Sequence, residues 1–144
     1  MVSNPYQNIW GKIISLPAST KIGAFVDIGE PDFGEDCVIQ TMVSIPPGWK
    51  FGNKVFIGPG ARFANDKHPN LDKQFEPQKG IVEDNVVIGM NATIGAGITI
   101  GKNAIIGMGS VVLKDVPTGE VWVGNPAKRL CPLGYKVCIN CGKC

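Results

Sequence analysis

Aliphatic and aromatic side chains recur every six residues along most of this chain, and no other feature constrains its fold as strongly. Ile22 and Ile28 lead into Phe33, Ile39, Ile45, Phe51, Ile57 and Phe63, and the series resumes at Val82, Ile88, Ile94, Ile100, Ile106 and Val112. The step from Ile28 to Phe33 is one residue short, which reads as a deletion at a turn. Side chains of a strand alternate between its two faces, so the residue two before each repeat position should point the same way. Val26, Cys37, Val43, Trp49, Val55, Ala61, Val86, Ala92, Ile98, Ala104 and Ser110 hold those places, and nearly all are small or apolar. The pattern predicts a short strand, a sharp turn and another short strand, three such sides closing one coil. Gly, Asn and Asp at 52–53, 84–85, 89, 91, 95, 97 and 101–103 supply turns that need positive φ or close packing. Fourteen repeats at three per coil predict four to five coils. An ordinary β-sandwich would not hold one six-residue phase over so many positions.

Composition agrees. Nineteen Gly and eleven Pro would point to disorder in a polar chain, but 44% of the residues are hydrophobic. The 144 residues suit one domain: a lead-in over 1–21, the repeat domain over 22–130 and a cysteine-rich tail over 131–144. A net charge of +2, with no basic stripe, gives nucleic-acid binding no support. The first residues lack the basic and apolar regions of a signal peptide, and no stretch approaches a membrane span in length, so the expectation is a cytoplasmic protein.

Between Phe63 and Val82 the period fails, leaving a loop over 64–81 about thirteen residues longer than the repeat allows. A long insertion in a periodic stack leaves as a surface loop, often a functional one. It opens with Asn65, Asp66 and His68, the last being the single histidine of the chain.

The repeat over 22 to about 130 resembles the hexapeptide acyltransferase superfamily. That resemblance implies a left-handed parallel β-helix, a homotrimer and active sites in the clefts between neighbouring prisms. Within it, Phe56, Ile57, Gly58, Pro59, Phe63, Asn65, Asp66 and Pro69 look like the box of nucleotide-sugar N-acetyltransferases, which acetylate an amino group on a nucleotide-linked deoxysugar. Where those enzymes commonly continue with Arg, this chain has Asn70. The His68-Pro69 pair also looks like the branch that acetylates sugar hydroxyls, in which the histidine is a general base. Catalytic candidates are therefore His68, Asn65 and Asp66. A hydroxyl needs a base to become nucleophilic, whereas an amine needs only to be neutral and well placed.

The run Gly109-Ser110-Val111-Val112, Lys114 to Pro117 and Val123 to Lys128 matches the superfamily's cofactor signature. The resemblance implies acetyl-CoA as co-substrate, with Gly89, Ala92, Gly107 and Gly109 letting pantetheine approach and Asn125 and Pro126 in the binding segment. Lys114 and Lys128 would meet the adenosine phosphates as point charges. The resemblance thus implies an acetyl-CoA-dependent N-acetyltransferase of an amino group on a nucleotide-linked deoxyamino sugar, serving polysaccharide synthesis. A sugar O-acetyltransferase and a non-catalytic β-helix module stand as alternatives. Cys131, Cys138, Cys141 and Cys144 form a Cys-x6-Cys-x2-Cys-x2-Cys tail, part of which resembles half a zinc ribbon; zinc ligation and free thiols are both open. Cys37 falls in an inward repeat position and is expected to be a core residue.

Overall fold

A computed structural model describes residues 16–30 and 32–131. The lead-in before residue 16 and the tail cysteines Cys138, Cys141 and Cys144 lie outside the described residues, as does the side chain of Cys131. The first strands are β1 (Lys21–Ile22), β2 (Asp27–Ile28), β3 (Asp32–Phe33), β4 (Val38–Ile39), β5 (Ser44–Ile45) and β6 (Trp49–Phe51). They are followed by β7 (Phe56–Ile57), β8 (Arg62–Phe63), β9 (Gly80–Val82), β10 (Val87–Ile88), β11 (Thr93–Ile94) and β12 (Thr99–Ile100). The chain continues through β13 (Ile105–Ile106), β14 (Val111–Val112), β15 (Val121–Gly124) and β16 (Ala127–Cys131).

Strands fall in rotation onto three faces. The first face stacks β1, β4, β7, β10, β13 and β15 in parallel; the second stacks β2, β5, β8, β11 and β14; the third stacks β3, β6, β9 and β12. Each repeat residue lies directly over the one three repeats earlier, as in Ile39↔Ile57, Ile57↔Ile88 and Ile88↔Ile106. The fold is a left-handed parallel β-helix of about six turns. That is more than the four to five coils expected, because the stack continues past Val112. Val116 bridges in parallel to Ile100 on the third face, and β15 adds a further rung to the first. The short step after Ile28 is a trimmed corner, since Asp32 and Phe33 still pair in register with Lys50 and Phe51.

Both inward positions of the repeat fill the prism. The repeat residues from Ile28 onward are at most 8% exposed, and the residues two before them, Val26 through Ser110, are at most 2% exposed. Burying a branched aliphatic side chain contributes about 1.5–3 kcal/mol, and here that contribution recurs at every rung. Phe33 stacks on Phe51 at 4.3 Å between centroids, while Phe63 meets Phe51 and Trp49 edge-on at 5.4 and 4.9 Å. This aromatic slab marks the level at which the loop departs.

Corners follow one rule. Three residues before nearly every repeat residue the backbone turns through positive φ, at Phe25, Glu30, Asp36, Met42, Gly48, Lys54, Gly60, Asn85, Asn91, Gly97, Asn103 and Gly109. Asn85, Asn91, Gly97 and Asn103 are among the turn residues expected from sequence. Phe25, Met42 and Lys54 adopt the same conformation without such a side chain, at about 1–2 kcal/mol each. The glycine directly after a repeat residue has a different task. A Cβ on Gly58 would sit 2.7 Å from the Met90 nitrogen, and one on Gly89 would sit 2.5 Å from the Met108 nitrogen. Those amides belong to the next turn, so successive turns touch backbone to backbone there. The loop is shorter than expected: β9 starts at Gly80, paired with Trp49, so the excursion covers 64–79 and Ile81 is already in a ladder.

Cys37 is fully buried, with its thiol 3.3 Å from the Gly52 carbonyl oxygen. Burial pushes its pKa above the ordinary 9.0. The unfolded thiol ionises near the ordinary value while the native thiol keeps its proton, so the native state loses stability as pH rises beyond about 9. Denaturant titrations across pH 8–10 should show that decline, and Cys37→Ala should flatten it. Gly58→Ala should lower unfolding free energy by about 2–3 kcal/mol, as forced overpacking does. Lys54→Asn, which suits positive φ, should leave stability unchanged or raise it by about 0.5 kcal/mol.

Candidate functional site

The loop is held at its neck by the prism. The Ala64 N–H completes the ladder to the Ile94 carbonyl at 2.8 Å, and the Ala64 carbonyl accepts the indole N–H of core Trp49 at 2.9 Å. The Asn65 amide donates to the Pro47 carbonyl on the turn below at 2.9 Å, and its own carbonyl accepts the Gln78 N–H at 2.8 Å, closing the neck. Gly80 completes the seat, since a Cβ there would run 2.5 Å from the Trp49 ring. Beyond the neck, the Asp66 carboxylate accepts the backbone N–H of His68 and the Asn70 side chain accepts that of Asp72, each at 2.8 Å. These two turns shape a polar cavity of about 180 Å³ lined by Asp66, His68, Asn70, Lys73, Phe75 and Glu76.

Two of the three catalytic candidates, Asp66 and His68, therefore share a cavity. Asn65 is set apart, because its side-chain amide is engaged in fastening the loop to Pro47. Sequence reasoning missed Lys73, Phe75 and Glu76, which lie in the aperiodic part of the loop where no spacing rule singles them out.

A second cavity, of about 430 Å³, sits where the stack ends. β15 and β16 form an antiparallel hairpin that adds a seventh strand beyond the last parallel rung. The buried Ser110 hydroxyl accepts the Gly124 N–H at 3.2 Å, fastening the hairpin to the turn below. Leu113, Lys114, Trp122, Pro126, Ala127, Lys128 and Arg129 line the cavity. Three of the proposed cofactor residues, Lys114, Pro126 and Lys128, thus come together, and exposed Asn125 forms the hairpin turn beside them. Gly109 is exposed at an open corner, with nothing within 4 Å of where a Cβ would lie.

The other three cofactor candidates are occupied by the fold. Ala92 is 0% exposed and fills the core, so its side chain offers nothing to a ligand outside the prism. Gly107 lies beneath Val123, 2.6 Å from where a Cβ would sit, and Gly89 accommodates the Met108 backbone. Their small size, read as room for pantetheine, is accounted for by packing. Trp122 and Arg129 escaped the sequence reading because they fall outside the six-residue phase. Among the described residues, no group of three or more His, Cys, Asp or Glu could hold a metal ion, and no helix is long and apolar enough to cross a membrane.

Comparison with known proteins fits this architecture. Residues 81–114 match the family described as the hexapeptide repeat of succinyl-transferase. No curated protein matches at the level of sequence. Among solved structures, a histidine-substituted perosamine N-acetyltransferase from Caulobacter crescentus, in complex with CoA and GDP-perosamine, superposes with a TM-score of 0.63 at 22% identity. The match covers 87% of this chain and 53% of that one, so this chain spans about half its length. A hexapeptide-repeat acetyltransferase from Vibrio cholerae, complexed with acetyl coenzyme A, gives a TM-score of 0.63 at 25% identity over 90% of this chain and 72% of that one. A maltose O-acetyltransferase from Clostridium difficile gives 0.50 at 28% identity over 82% and 61%. The fold defines a parallel β-solenoid built from hexapeptide repeats. The chain shares the fold of these acetyltransferases, and its residues 81–114 match the hexapeptide-repeat family.

Ser110→Ala should cost about 1 kcal/mol, the contribution of a typical hydrogen bond, and leave the Gly124 N–H without its acceptor. Hydrogen exchange should then accelerate at Gly124 and its hairpin neighbours while the amides of β10 and β13 keep their protection.

Proposed function

We propose that this chain is an acetyl-CoA-dependent acyltransferase that acetylates an amino group of a nucleotide-linked deoxyamino sugar. The arrangement of the two cavities carries the proposal. The loop leaves the second face after β8, and Leu113 and Lys114 leave the same face after β14, two rungs further along the β8–β11–β14 stack. At about 4.8 Å per rung, loop root and lysine corner lie about 10 Å apart along one edge of the prism. An acceptor in the loop cavity and a donor anchored by Lys114 and Lys128 would meet along that edge. The Vibrio cholerae acetyltransferase structure holds acetyl coenzyme A and the perosamine enzyme structure holds CoA and a sugar nucleotide, which supports the pairing of ligands. Such a reaction suits the cytoplasm and the assembly of surface polysaccharide.

In the reaction the neutral amine attacks the thioester carbonyl. The tetrahedral oxyanion takes hydrogen bonds from backbone N–H groups, the C–S bond breaks, and the proton lost from nitrogen passes to His68 or solvent while the thiolate departs. Asn65 keeps the loop seated, acting through position alone. The resemblance of Phe56 to Pro69 to the box of nucleotide-sugar N-acetyltransferases supports an amine over a hydroxyl acceptor, since a hydroxyl requires an imidazole base, usually steadied by a carboxylate. The maltose O-acetyltransferase likeness keeps O-transfer as the second reading.

A homotrimer is part of the proposal. The outward column of the first face begins with Lys21 and is then apolar through Val38, Phe56, Val87 and Ile105, whereas on the second face Asp27, Ser44, Arg62 and Thr93 precede the single apolar Val111. Met90 and Met108 stand exposed at the adjoining corner. A contiguous apolar stripe of this kind favours burial against further copies.

Thermal-shift measurements with acetyl-CoA and a panel of UDP-, dTDP- and GDP-linked amino sugars test the assignment: stabilisation by acetyl-CoA together with one amino sugar is expected. Failure of acetyl-CoA to bind would leave a non-catalytic β-helix and sink the proposal. His68→Ala should reduce kcat with an amino sugar less than about tenfold, and the rate should rise with pH toward the amine's titration near about 8; a loss of roughly 10²–10⁴-fold would favour hydroxyl transfer. Phe56→Asp should dissociate the trimer in sedimentation experiments.

A further inference from the structure

The loop does not project straight away from the prism. Its two feet fold back over the turn that follows β11. The Gln78 Cβ and side-chain oxygen lie 3.6 and 3.8 Å from the point where a Cβ on Gly97 would stand, and the Lys67 Nζ lies 4.0 Å from it. Ala96, on the same turn, is only 2% exposed although it belongs to neither inward column, whereas its counterpart Lys114 one rung further on is exposed. Gly97 stands one rung beyond the root of the loop and one rung short of Lys114. Lys67 thus carries its charge to about 5 Å from each along the shared edge. Its ammonium makes no ion pair with another described residue; the ion pairs there are Lys50–Asp32 and Arg129–Glu120. Of the charged groups on the segments around it, Asp66 accepts the His68 N–H and Asp115 accepts the Thr99 N–H, each at 2.8 Å. His68, Lys73 and Glu76 line the loop cavity, Lys79 lies on the returning foot and Lys114 on the next turn. A cation without a paired counter-charge is therefore set on the edge where acceptor and donor would meet.

We infer that Lys67 is a specificity-determining residue that holds the attacking amine of the acceptor in its neutral form. This rests on the acyltransferase reading and deepens it, since it names what the site demands of its nucleophile. An amine that titrates near about 8 arrives at lower pH mostly as ammonium, which has no lone pair with which to attack. A like charge within about 4–6 Å disfavours the charged form. Beside Lys67 the ammonium gives up its proton to solvent on binding, and the bound nitrogen keeps its lone pair. A displacement of about one pH unit changes the balance of the two forms about tenfold. A hydroxyl carries no charge in this range and is indifferent to the cation.

Lys67→Met removes the charge and keeps the apolar stem, whereas Lys67→Arg keeps the charge; both are made in the full-length protein. By calorimetry at pH 6 with the panel of UDP-, dTDP- and GDP-linked amino sugars, Lys67→Met should bind the accepted amino sugar about tenfold more tightly than the wild type. That gain should close by about pH 9, where the free amine is neutral, and Lys67→Arg should behave as the wild type. UDP-glucose, dTDP-glucose and GDP-mannose, which carry hydroxyls in place of the amine, should bind Lys67→Met and wild type alike. With acetyl-CoA present, the midpoint of the kcat profile, which reports the bound amine, should rise by about one pH unit in Lys67→Met and stay in place in Lys67→Arg. The kcat/KM midpoint, which reports the free amine, should stay near about 8 in all three. The displacement should persist in a His68→Ala background, so that the histidine is not the titrating group. A packing role moves neither midpoint and tightens no binding. Weaker binding of amino and hydroxyl sugars alike by Lys67→Met would make Lys67 a phosphate contact and overturn the inference. If amino sugars are acetylated with the same kcat midpoint in wild type and Lys67→Met, this inference fails and the acyltransferase reading stands. If no amino sugar of the panel is bound or acetylated, the amino-sugar reading fails and takes this inference with it. Folding of each variant is checked by its melting transition.

Discussion

Successive turns of this prism are packed so closely that their backbones meet at the corners, and most other features follow from that contact. Where Gly58 passes Met90 and Gly89 passes Met108 there is no room for a β-carbon. The spacing lets each strand of two or three residues exchange hydrogen bonds with the turns on both sides, as when the Gly58 N–H reaches the Ile88 carbonyl at 2.8 Å. A strand of two residues has no stability alone. Repeated through the stack, the ladders and the columns of Ile, Val and Phe inside them support one another, and a defect in one turn is felt mainly by its neighbours.

The same contact separates scaffold from site. Residues in phase with the repeat are committed to core or corner, and even the buried hydroxyl of Ser110 is used to fasten the terminal hairpin. Chemistry is left to what leaves the phase. The loop after Phe63 and the hairpin after Val116 do so, and they carry the two cavities. Between them the prism acts as a ruler, setting the loop cavity and the end cavity at a spacing fixed by whole rungs.

Phase was legible in the sequence because each repeat residue and the residue two before it make the same demand at every turn, and both columns are buried in the structure. The number of turns was less legible, because Val116 and β15 continue the stack without the Ile-Gly pattern. Glycine was the most ambiguous residue: it serves positive φ at Gly97, backbone contact at Gly89 and cover by Val123 at Gly107, and no local signal separates these uses from ligand access. Ala92 illustrates the same limit, since smallness at an inward position reflects the width of the prism. In the loop, Asp66 and His68 were visible as an unusual cluster, while the tie from Asn65 to Pro47 depends on a turn eighteen residues away in sequence. Trp122 and Arg129 come to one cavity only through the bulged pairing of β15 with β16.

The indole of Trp49 reaches from the core to the Ala64 carbonyl, and Asn65 and Gln78 close the neck above it. All the bonds that seat the loop are thereby concentrated in its two feet, leaving residues 66–77 outside the ladder. Such an insertion behaves as a cassette: its interior can be lengthened, shortened or rewritten while the plug in the wall stays the same. A lineage built on this prism could reshape the loop cavity by recombining a dozen residues, with the cavity at the far rung untouched.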